Sequence, residues 1–349
     1  MFKKRSSEQF VWGLFALLLS AVAVAADEPR EWLQRMNEAL TTRNYDGVFQ
    51  HWQDGKVEQL RIIHRVKNGE VRERLVSLDG SGREFIRNGS ELACYLPDKR
   101  TVIIEKRADQ NPMLGNLPKF DDASTAFYDI TEDRRTRLNR RDTRVISVKP
   151  TDNYRYGYKL WIDEETAMPV RTQLCDRGGR VIEQLVLAGD LRVNTNIPDT
   201  AFNPEVSPEG FQRIEGGPRV VQQQPQPGNP ASLWEAQGPP GFRMMLRGAQ
   251  VMPGSDDTVA HLVLSDGLTS VSVFVRSYTS AQPDDSAPAA TGQMGSTSAF
   301  SRWIDKHTKA TVVGEVPPQT VESIANSVKS SSTSAPAPAL SLKGPPRGR

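Results

Sequence analysis

Cysteine and histidine, which often bind metal ions, are scarce in this 349-residue sequence, which contains 2 cysteines and 4 histidines. The histidines are scattered and show none of the spacings of zinc ligands. The G-x-S-x-G, H-E-x-x-H, P-loop and dinucleotide-binding glycine motifs are also absent from the sequence. We therefore expect a protein that is not an enzyme and that binds no metal ion or cofactor. The four histidines are His51, His64, His261 and His307.

The excess of positive charge that is typical of nucleic-acid-binding proteins is missing as well. The chain has 44 basic and 42 acidic residues, and residues 1–26 contribute three of the basic ones and one acid, Glu8. Subtracting these leaves 41 basic and 41 acidic residues in 27–349. Because these formal charges cancel, we expect no general attraction to nucleic acid.

The first 26 residues have the features of a secretory signal peptide. A basic start, Lys3 to Arg5, precedes an apolar run over 10–24, and small residues close the run. This run is shorter than the ~20 apolar residues that a membrane-spanning helix needs, and no later segment is apolar enough. We expect cleavage after Ala25 or Ala26 and an exported, soluble mature protein.

The two cysteines, Cys94 and Cys175, both lie in segments that we predict to be strands. In an exported protein an isolated pair of cysteines is more often a disulfide than a metal site. Cys94 and Cys175 are therefore a candidate disulfide. The sequence leaves open whether the two thiols are close enough to join.

Residues 27–203 predict one domain built on an antiparallel sheet. An amphipathic helix over 28–41, with Pro29 in its first turn, comes first. Turn sequences such as Asn68-Gly69 and Asn88-Gly89 then recur about every 8–12 residues, as in a β-meander. One helix cannot cover so many strands on a flat sheet, so we predict a curved half-barrel. The predicted strands are 48–53, 56–66, 71–78, 83–87, 90–96, 101–105, 144–149, 154–163, 170–175 and 180–188.

The segment from Tyr154 to Pro169 has the strictest alternation in the chain. In the predicted strand 154–163, three tyrosines and Leu160 share one side, whereas Arg155 and Lys159 lie on the other. Aromatic rings along one face provide a wide apolar surface. Such a face either packs in an ordinary core or lines a cavity for lipid, and the sequence leaves both readings open. The candidate lipid-cavity residues are Tyr154, Tyr156, Tyr158 and Leu160.

The stretch 107–144 interrupts the meander as a long insertion. Residues 111–122 are rich in Pro, Gly and Asn, and this stretch is either a flap over the concave face of the sheet or a surface loop. An arginine cluster that could bind a lipid phosphate follows it. The alternative, which we favour, is a solvated hairpin that Glu132, Asp133 and Asp142 neutralise. The candidate phosphate contacts are Arg134, Arg135, Arg137, Arg140 and Arg141.

A flexible linker and a second, smaller α+β domain complete the predicted organisation. Residues 204–232 are rich in Pro, Gly and Gln and predict the linker, and the second domain covers 233–329. Its predicted helix is 320–329, and the tail 330–349 is expected to be disordered. Its predicted strands are 261–265, 268–278 and 310–316, with a low-complexity loop at 279–298.

Six segments of the sequence form a pattern that extends over both predicted domains. They are NYDGVF (44–49), RERLVSLDG (72–80), CYLPD (94–98), YRYGYKLWIDEET (154–166), LSDGL…VSVFV (264–275) and VVGEVP (312–317). In sequence, order and spacing these segments resemble the MucB/RseB family of periplasmic regulators of the sigma-E/AlgU-type envelope-stress sigma factor. A linker between two domains agrees with the family as well. The resemblance extends over nearly all of 27–349 and fails in the region of the possible flap, in the linker and in the tail.

This resemblance implies an N-terminal half-barrel like that of the lipoprotein carriers LolA and LolB, followed by a C-terminal MucB/RseB domain. It also implies a periplasmic location and binding to the periplasmic domain of a membrane anti-sigma factor of the RseA/MucA kind. Binding would protect the anti-sigma factor from regulated proteolysis, and lipid or lipopolysaccharide would be the release signal. The alternative function is a periplasmic lipid or lipoprotein carrier, and a homo-oligomer remains open.

Overall fold

The computed structural model describes residues 28–106, 113–114, 125–215, 219–222, 230–251, 258–278 and 289–331. The predicted signal peptide and most of the predicted tail lie outside these residues. The described residues form two domains, each with one main antiparallel sheet and one α-helix. Neither helix is long and apolar enough to cross a membrane.

The N-terminal domain begins with helix α1 (Pro29–Thr42), which has Pro29 in its first turn, where no backbone N–H is required. Its buried residues recur at helical spacing and form one stripe that faces the sheet. Turns whose residues have positive φ, such as Asp54-Gly55 and Asn68-Gly69, connect the strands that follow. The buried residues of the stripe are Trp32, Leu33, Met36, Ala39 and Leu40.

Twelve strands form the main sheet of this domain, in the order β12-β6-β5-β4-β3-β2-β1-β11-β10-β9-β8-β7. All neighbours are antiparallel except β12 and β6. The strands are β1 (Tyr45–Gln53), β2 (Lys56–Lys67), β3 (Glu70–Ser77), β4 (Glu84–Asn88), β5 (Glu91–Leu96), β6 (Thr101–Lys106), β7 (Tyr128–Leu138), β8 (Arg141–Pro150), β9 (Gly157–Asp163), β10 (Pro169–Cys175), β11 (Val181–Val193) and β12 (Gln212–Glu215).

This sheet is strongly curved around α1. The helix contacts both β2 and β7, which are six positions apart in the sheet. In a flat sheet these strands would be about 29 Å apart, far more than the ~10 Å width of a helix. The sheet must therefore bend round the helix, and the predicted curved antiparallel architecture is confirmed.

The C-terminal domain contains a seven-stranded sheet with helix α2 (Pro318–Ser327) on one face. Val321, Ile324 and Ala325 of the helix pack with Leu262 and Val273 of the sheet in one core. The strand order is β13-β15-β16-β17-β20-β19-β18, and β14 pairs separately with β21. The strands are β13 (Arg219–Gln222), β14 (Trp234–Glu235), β15 (Arg243–Val251), β16 (Thr258–Ser265), β17 (Ser270–Ser277), β18 (Ala290–Met294), β19 (Thr297–Asp305), β20 (Thr308–Gly314) and β21 (Lys329–Ser330).

Several predicted boundaries were wrong, mostly at the edges of the sheets. Strand β7 lies within the predicted insertion, and β12 lies within the predicted linker. Strands β18 and β19 were not predicted, and β9 begins at Gly157 instead of Tyr154. The edge strands β12 and β18 bury none of their side chains, so the apolar alternation that signals a strand is absent from them.

The predicted disulfide is absent, since Cys94 and Cys175 are both free. Cys94 lies on β5 and Cys175 on β10, and five strands separate these two in the sheet. Burial raises the pKa of both thiols. The two cysteines are therefore separate, half-buried thiols on opposite halves of the curved sheet.

Candidate functional site

The segment with the three tyrosines, residues 154–158, is called the tyrosine segment and lies where the two domains meet. The backbone oxygen of Tyr154 accepts a 2.8 Å hydrogen bond from Oγ1 of Thr320, at the start of α2. Tyr156 is 5% exposed, and its burial raises the pKa of its phenol although a hydrogen bond with Ser298 of the C-terminal domain acts against this. Of the four residues proposed to line a lipid cavity, Tyr154 and Tyr156 precede β9 and contact the second domain.

The other two candidate cavity residues, Tyr158 and Leu160, lie in the core of the N-terminal domain. Leu160 is fully buried there, and Tyr158 packs against the same core. Burial and the nearby carboxylates of Glu315 and Asp266 in the C-terminal domain raise the pKa of Tyr158. The face predicted from alternation is therefore partly core and partly domain interface.

Arg155 forms the centre of the domain interface, although the alternation placed it on the solvent side. Its side chain is completely buried. Nε donates a 2.6 Å hydrogen bond to Oδ2 of Asp266 in the C-terminal domain. The other guanidinium nitrogens bond Asp152 of its own domain and the backbone oxygen of Pro240 across the interface. The ion pair between Arg155 and Asp266 links residues that are 111 positions apart, and no local pattern could have revealed it.

Asp266 is held in place by its own turn between β16 and β17. Its Oδ1 accepts 2.9 Å hydrogen bonds from the backbone N–H groups of Leu268 and Thr269. Its Oδ2 accepts from Arg155 and, at 3.1 Å, from the hydroxyl of Tyr128. Leu268 lies in the core of the N-terminal domain. The turn is therefore inserted into the neighbouring domain with its carboxylate already oriented.

Aromatic rings from both domains enclose the guanidinium of Arg155. Its Cζ lies 4.4 Å from the ring centroid of Phe127 in the N-terminal domain and 5.0 Å from that of Phe242 in the C-terminal domain. Gly241 has φ +90, and a Cβ added to it would overlap the ring of Phe127 and come within 2.7 Å of Nη2 of Arg155. The two domains therefore approach each other in one specific geometry at this point.

A second interdomain contact joins the turn between β18 and β19 to the N-terminal domain. Oγ of Ser296 donates a 2.9 Å hydrogen bond to Oε2 of Glu183, whose Oε1 is 2.6 Å from Nε2 of His51. The backbone N–H of Gly295 donates to Oδ2 of Asp54 at 2.7 Å. This contact is polar, in contrast to the aromatic surroundings of Arg155.

A polar groove of about 540 Å³ opens beside the interface, between the loop 151–154 and α2. Nε2 of Gln319 donates a 2.6 Å hydrogen bond to the backbone oxygen of Asn153 in this groove. Arg177 and Glu322 provide charges of opposite sign. The groove has hydrogen-bonding groups from both domains, which suits a polypeptide more than an acyl chain.

The arginine cluster lies on the β7–β8 hairpin, and three of its five members pair with carboxylates. Arg141 donates to Asp163 at 3.0 Å, Arg137 lies 3.8 Å from Asp142, and Arg135 lies 3.5 Å from Glu132. These pairs resemble the solvated hairpin more than a phosphate site. The cluster was predicted to comprise Arg134, Arg135, Arg137, Arg140 and Arg141.

Met113 and Leu114, the two residues described between 107 and 124, lie inside the curved sheet. Leu114 is 2% exposed in the core beside α1, and the backbone N–H of Met113 donates to Oε1 of Glu73 at 2.9 Å. A flap over the concave face would place them there, but the rest of 111–122 lies outside the described residues. Within the described part of the chain, no three His, Cys, Asp or Glu side chains could hold a metal ion together.

Comparison with known proteins gives matches over both domains. Residues 28–206 match the MucB/RseB N-terminal domain, and residues 228–329 match the MucB/RseB C-terminal domain. A curated relative, the sigma factor AlgU regulatory protein MucB of Pseudomonas aeruginosa, is 30% identical over 325 residues, which cover 90% of this chain and 95% of the relative.

Solved structures agree with these matches. The Pseudomonas aeruginosa MucA/MucB complex superposes with a TM-score of 0.65 and 27% identity, over 86% of this chain and 98% of that one. A second crystal structure, of MucB, gives a TM-score of 0.54 and 25% identity, over 86% of this chain and 97% of that one.

Proposed function

This chain belongs to the MucB/RseB family, and we propose that it is a periplasmic regulator that binds the periplasmic region of a membrane anti-sigma factor. The observation that carries this proposal is the match of both domains, over nearly the whole chain, to a regulator of a sigma factor. The same relative has been crystallised with MucA. In this proposal the partner of the present chain is a protein of the RseA/MucA kind.

Bound in this way, the protein would shield the anti-sigma factor from the protease that degrades it. Shielding requires a surface that holds a polypeptide at more than one point. The two domains offer such a surface, since the polar groove between 151–154 and α2 has groups from both of them. Contacts from two linked surfaces raise the overall affinity through effective concentration.

Lipid or lipopolysaccharide would be the release signal. The apolar rings of Tyr156 and Tyr158 are the natural place for an acyl chain, because each buried methylene contributes ~0.8 kcal/mol. However, Tyr156 is buried against the C-terminal domain, so an acyl chain that reached it would have to separate the domains there. Such a ligand can shift the domain arrangement only by its differential affinity for the two states.

The mature protein, residues 27–349, and the periplasmic region of the anti-sigma factor from the same genome provide the test. We expect direct binding in a biolayer interferometry assay and slower cleavage of the anti-sigma region by its protease. Added lipopolysaccharide should weaken the binding. Absence of binding would overturn the proposal, and binding of lipoproteins instead would favour the carrier alternative.

A further inference from the structure

The contacts of Arg155 can all form in only one relative position of the two domains. A guanidinium is planar and donates in fixed directions, so its bonds to Asp152, Asp266 and the backbone of Pro240 constrain both distance and orientation. The rings of Phe127 and Phe242, which belong to different domains, lie 4.4 Å and 5.0 Å from its Cζ. A small rotation of one domain would break several of these contacts together.

The cost of breaking them is high because the charges are buried. Arg155 and the side chain of Asp266 are both 0% exposed. If the domains separated only slightly, each charge would lose its partner before water could fully replace it, which is strongly unfavourable. The interface therefore favours either the docked arrangement or a fully separated one, with little between them.

The docked arrangement resembles that of a partner-bound relative. The whole chain superposes on MucB in complex with MucA with a TM-score of 0.65 and on a second crystal structure of MucB with a TM-score of 0.54, and the aligned share of this chain is the same in both cases. Because a whole-chain superposition depends on the relative position of the two domains as well as on each fold, the higher TM-score is in line with the domain arrangement of the MucA-bound relative. Arg155 itself cannot touch a partner while the domains are docked, because it is completely buried.

We infer that Arg155 is a positioning residue that holds the two domains in the arrangement that binds the anti-sigma factor. It acts through Asp266 and Pro240 and sets the affinity for a partner that it does not contact. This inference rests on the proposed function and adds to it the residue that controls the binding-competent state. If only a fraction of the molecules is docked, the apparent association constant is the intrinsic constant multiplied by that fraction.

The test compares Arg155→Met with Arg144→Met in residues 27–349 carrying Cys94→Ser and Cys175→Ser. Arg144 is a matched control, because it is also buried, pairs with Glu132 at 3.1 Å and lies 4.6 Å from the Trp32 ring, all within the N-terminal domain. We expect Arg155→Met to weaken binding of the anti-sigma periplasmic region at least ten-fold and to increase the radius of gyration in small-angle X-ray scattering. Arg144→Met should lower thermal stability and leave both quantities unchanged.

A covalent rescue separates positioning from a loss of local structure. Asn153 and Gln319 contact each other across the interface, and both are exposed. Cysteines at these two positions, joined by a short bismaleimide, should restore the affinity of Arg155→Met to that of the same cross-linked protein with Arg155 intact. Persistent weakness after cross-linking would overturn the inference, as would unchanged affinity of Arg155→Met. If the protein with Arg155 intact fails to bind at all, the proposed function itself is wrong.

Discussion

Single residues at the domain interface have unusually large consequences because they are both buried and polar. Arg155 and Asp266 form a buried ion pair, and the removal of one side chain leaves the charge of the other buried without its partner. Losses of this kind are of the order of 3–5 kcal/mol in proteins. Removal of either partner alone should therefore weaken the docking of the two domains.

Tyr156 is the residue at which the lipid-cavity hypothesis and the interface make opposite predictions. It is 5% exposed and meets Ser298 of the other domain. We expect Tyr156→Asp to separate the domains and to weaken binding of the anti-sigma region, because a carboxylate would be buried there without a cation. Small-angle X-ray scattering and the binding assay measure the two effects.

Tyr156→Phe is the matched control for this prediction. It keeps the ring and loses only the hydroxyl, which typically costs about 0.5–1.5 kcal/mol. We therefore expect it to remain compact and to bind almost as well as the wild type. If Tyr156→Asp stays compact and loses only lipid binding, the ring lines an open cavity and the interface assignment is wrong.

Among the elements, the β18–β19 hairpin makes an interdomain contact that should respond to pH. Burial raises the pKa of Glu183, but hydrogen bonds from His51, Ser296 and Gln53 outweigh it and lower the pKa. The hydrogen bond to Glu183 raises the pKa of His51, although burial partly opposes this. The contact is thus strongest when Glu183 is ionised and His51 is protonated.

The sign of the pH dependence follows from these two shifts. The stabilisation from Glu183 is present above its unfolded pKa of about 4.3 and is lost as pH falls through its lower folded pKa. That from His51 is present below its unfolded pKa of about 6.5 and is lost as pH rises through its higher folded pKa. We expect the difference in unfolding free energy between wild type and Glu183→Gln to be largest from about pH 4.3 to 6.5.

Urea denaturation of both proteins across this range measures the difference. Burial lowers the pKa of His64 to about 4, so this residue adds its own pH dependence to the stability of each protein. Because both proteins contain His64, its contribution cancels in the difference between their unfolding free energies. A difference that does not vary with pH would show that the charges of Glu183 and His51 contribute nothing to stability through this contact.

At the scale of the whole molecule, the two domains should unfold as one cooperative unit. Leu268 of the C-terminal domain is part of the N-terminal core, and Asp266 pairs with Arg155 across the interface. Differential scanning calorimetry should therefore show a single transition for residues 27–349. Two separate transitions in the wild type would contradict this coupling.

Gly241→Val should divide that transition into two. Gly241 has φ +90, which a β-branched residue avoids, and a Cβ there would overlap the Phe127 ring. The substitution should therefore separate the domains and leave each fold intact. Gly292→Val, on the exposed strand β18 with no atom near its added Cβ, is the control and should keep one transition.

The local pattern of residues was sufficient to predict the antiparallel sheet of the first domain, its curvature and most of its strands, and a smaller α+β second domain. These features depend on neighbours in the chain, since turns such as Asn68-Gly69 and alternation along strands such as β17 and β20 act over a few residues. The edge strands escaped prediction because they bury few side chains. The tyrosine segment was recognised as important, yet its role was not apparent.

Only the tertiary structure decided what the tyrosine segment and Arg155 contact. Alternation assigns a side chain to one face of a strand, but it does not tell whether solvent, core or a second domain covers that face. Asp266 is 111 positions from Arg155 in the sequence, and five strands of the sheet lie between the free Cys94 and Cys175. Such pairings depend on how distant elements dock, and docking is determined by packing and burial over the whole chain.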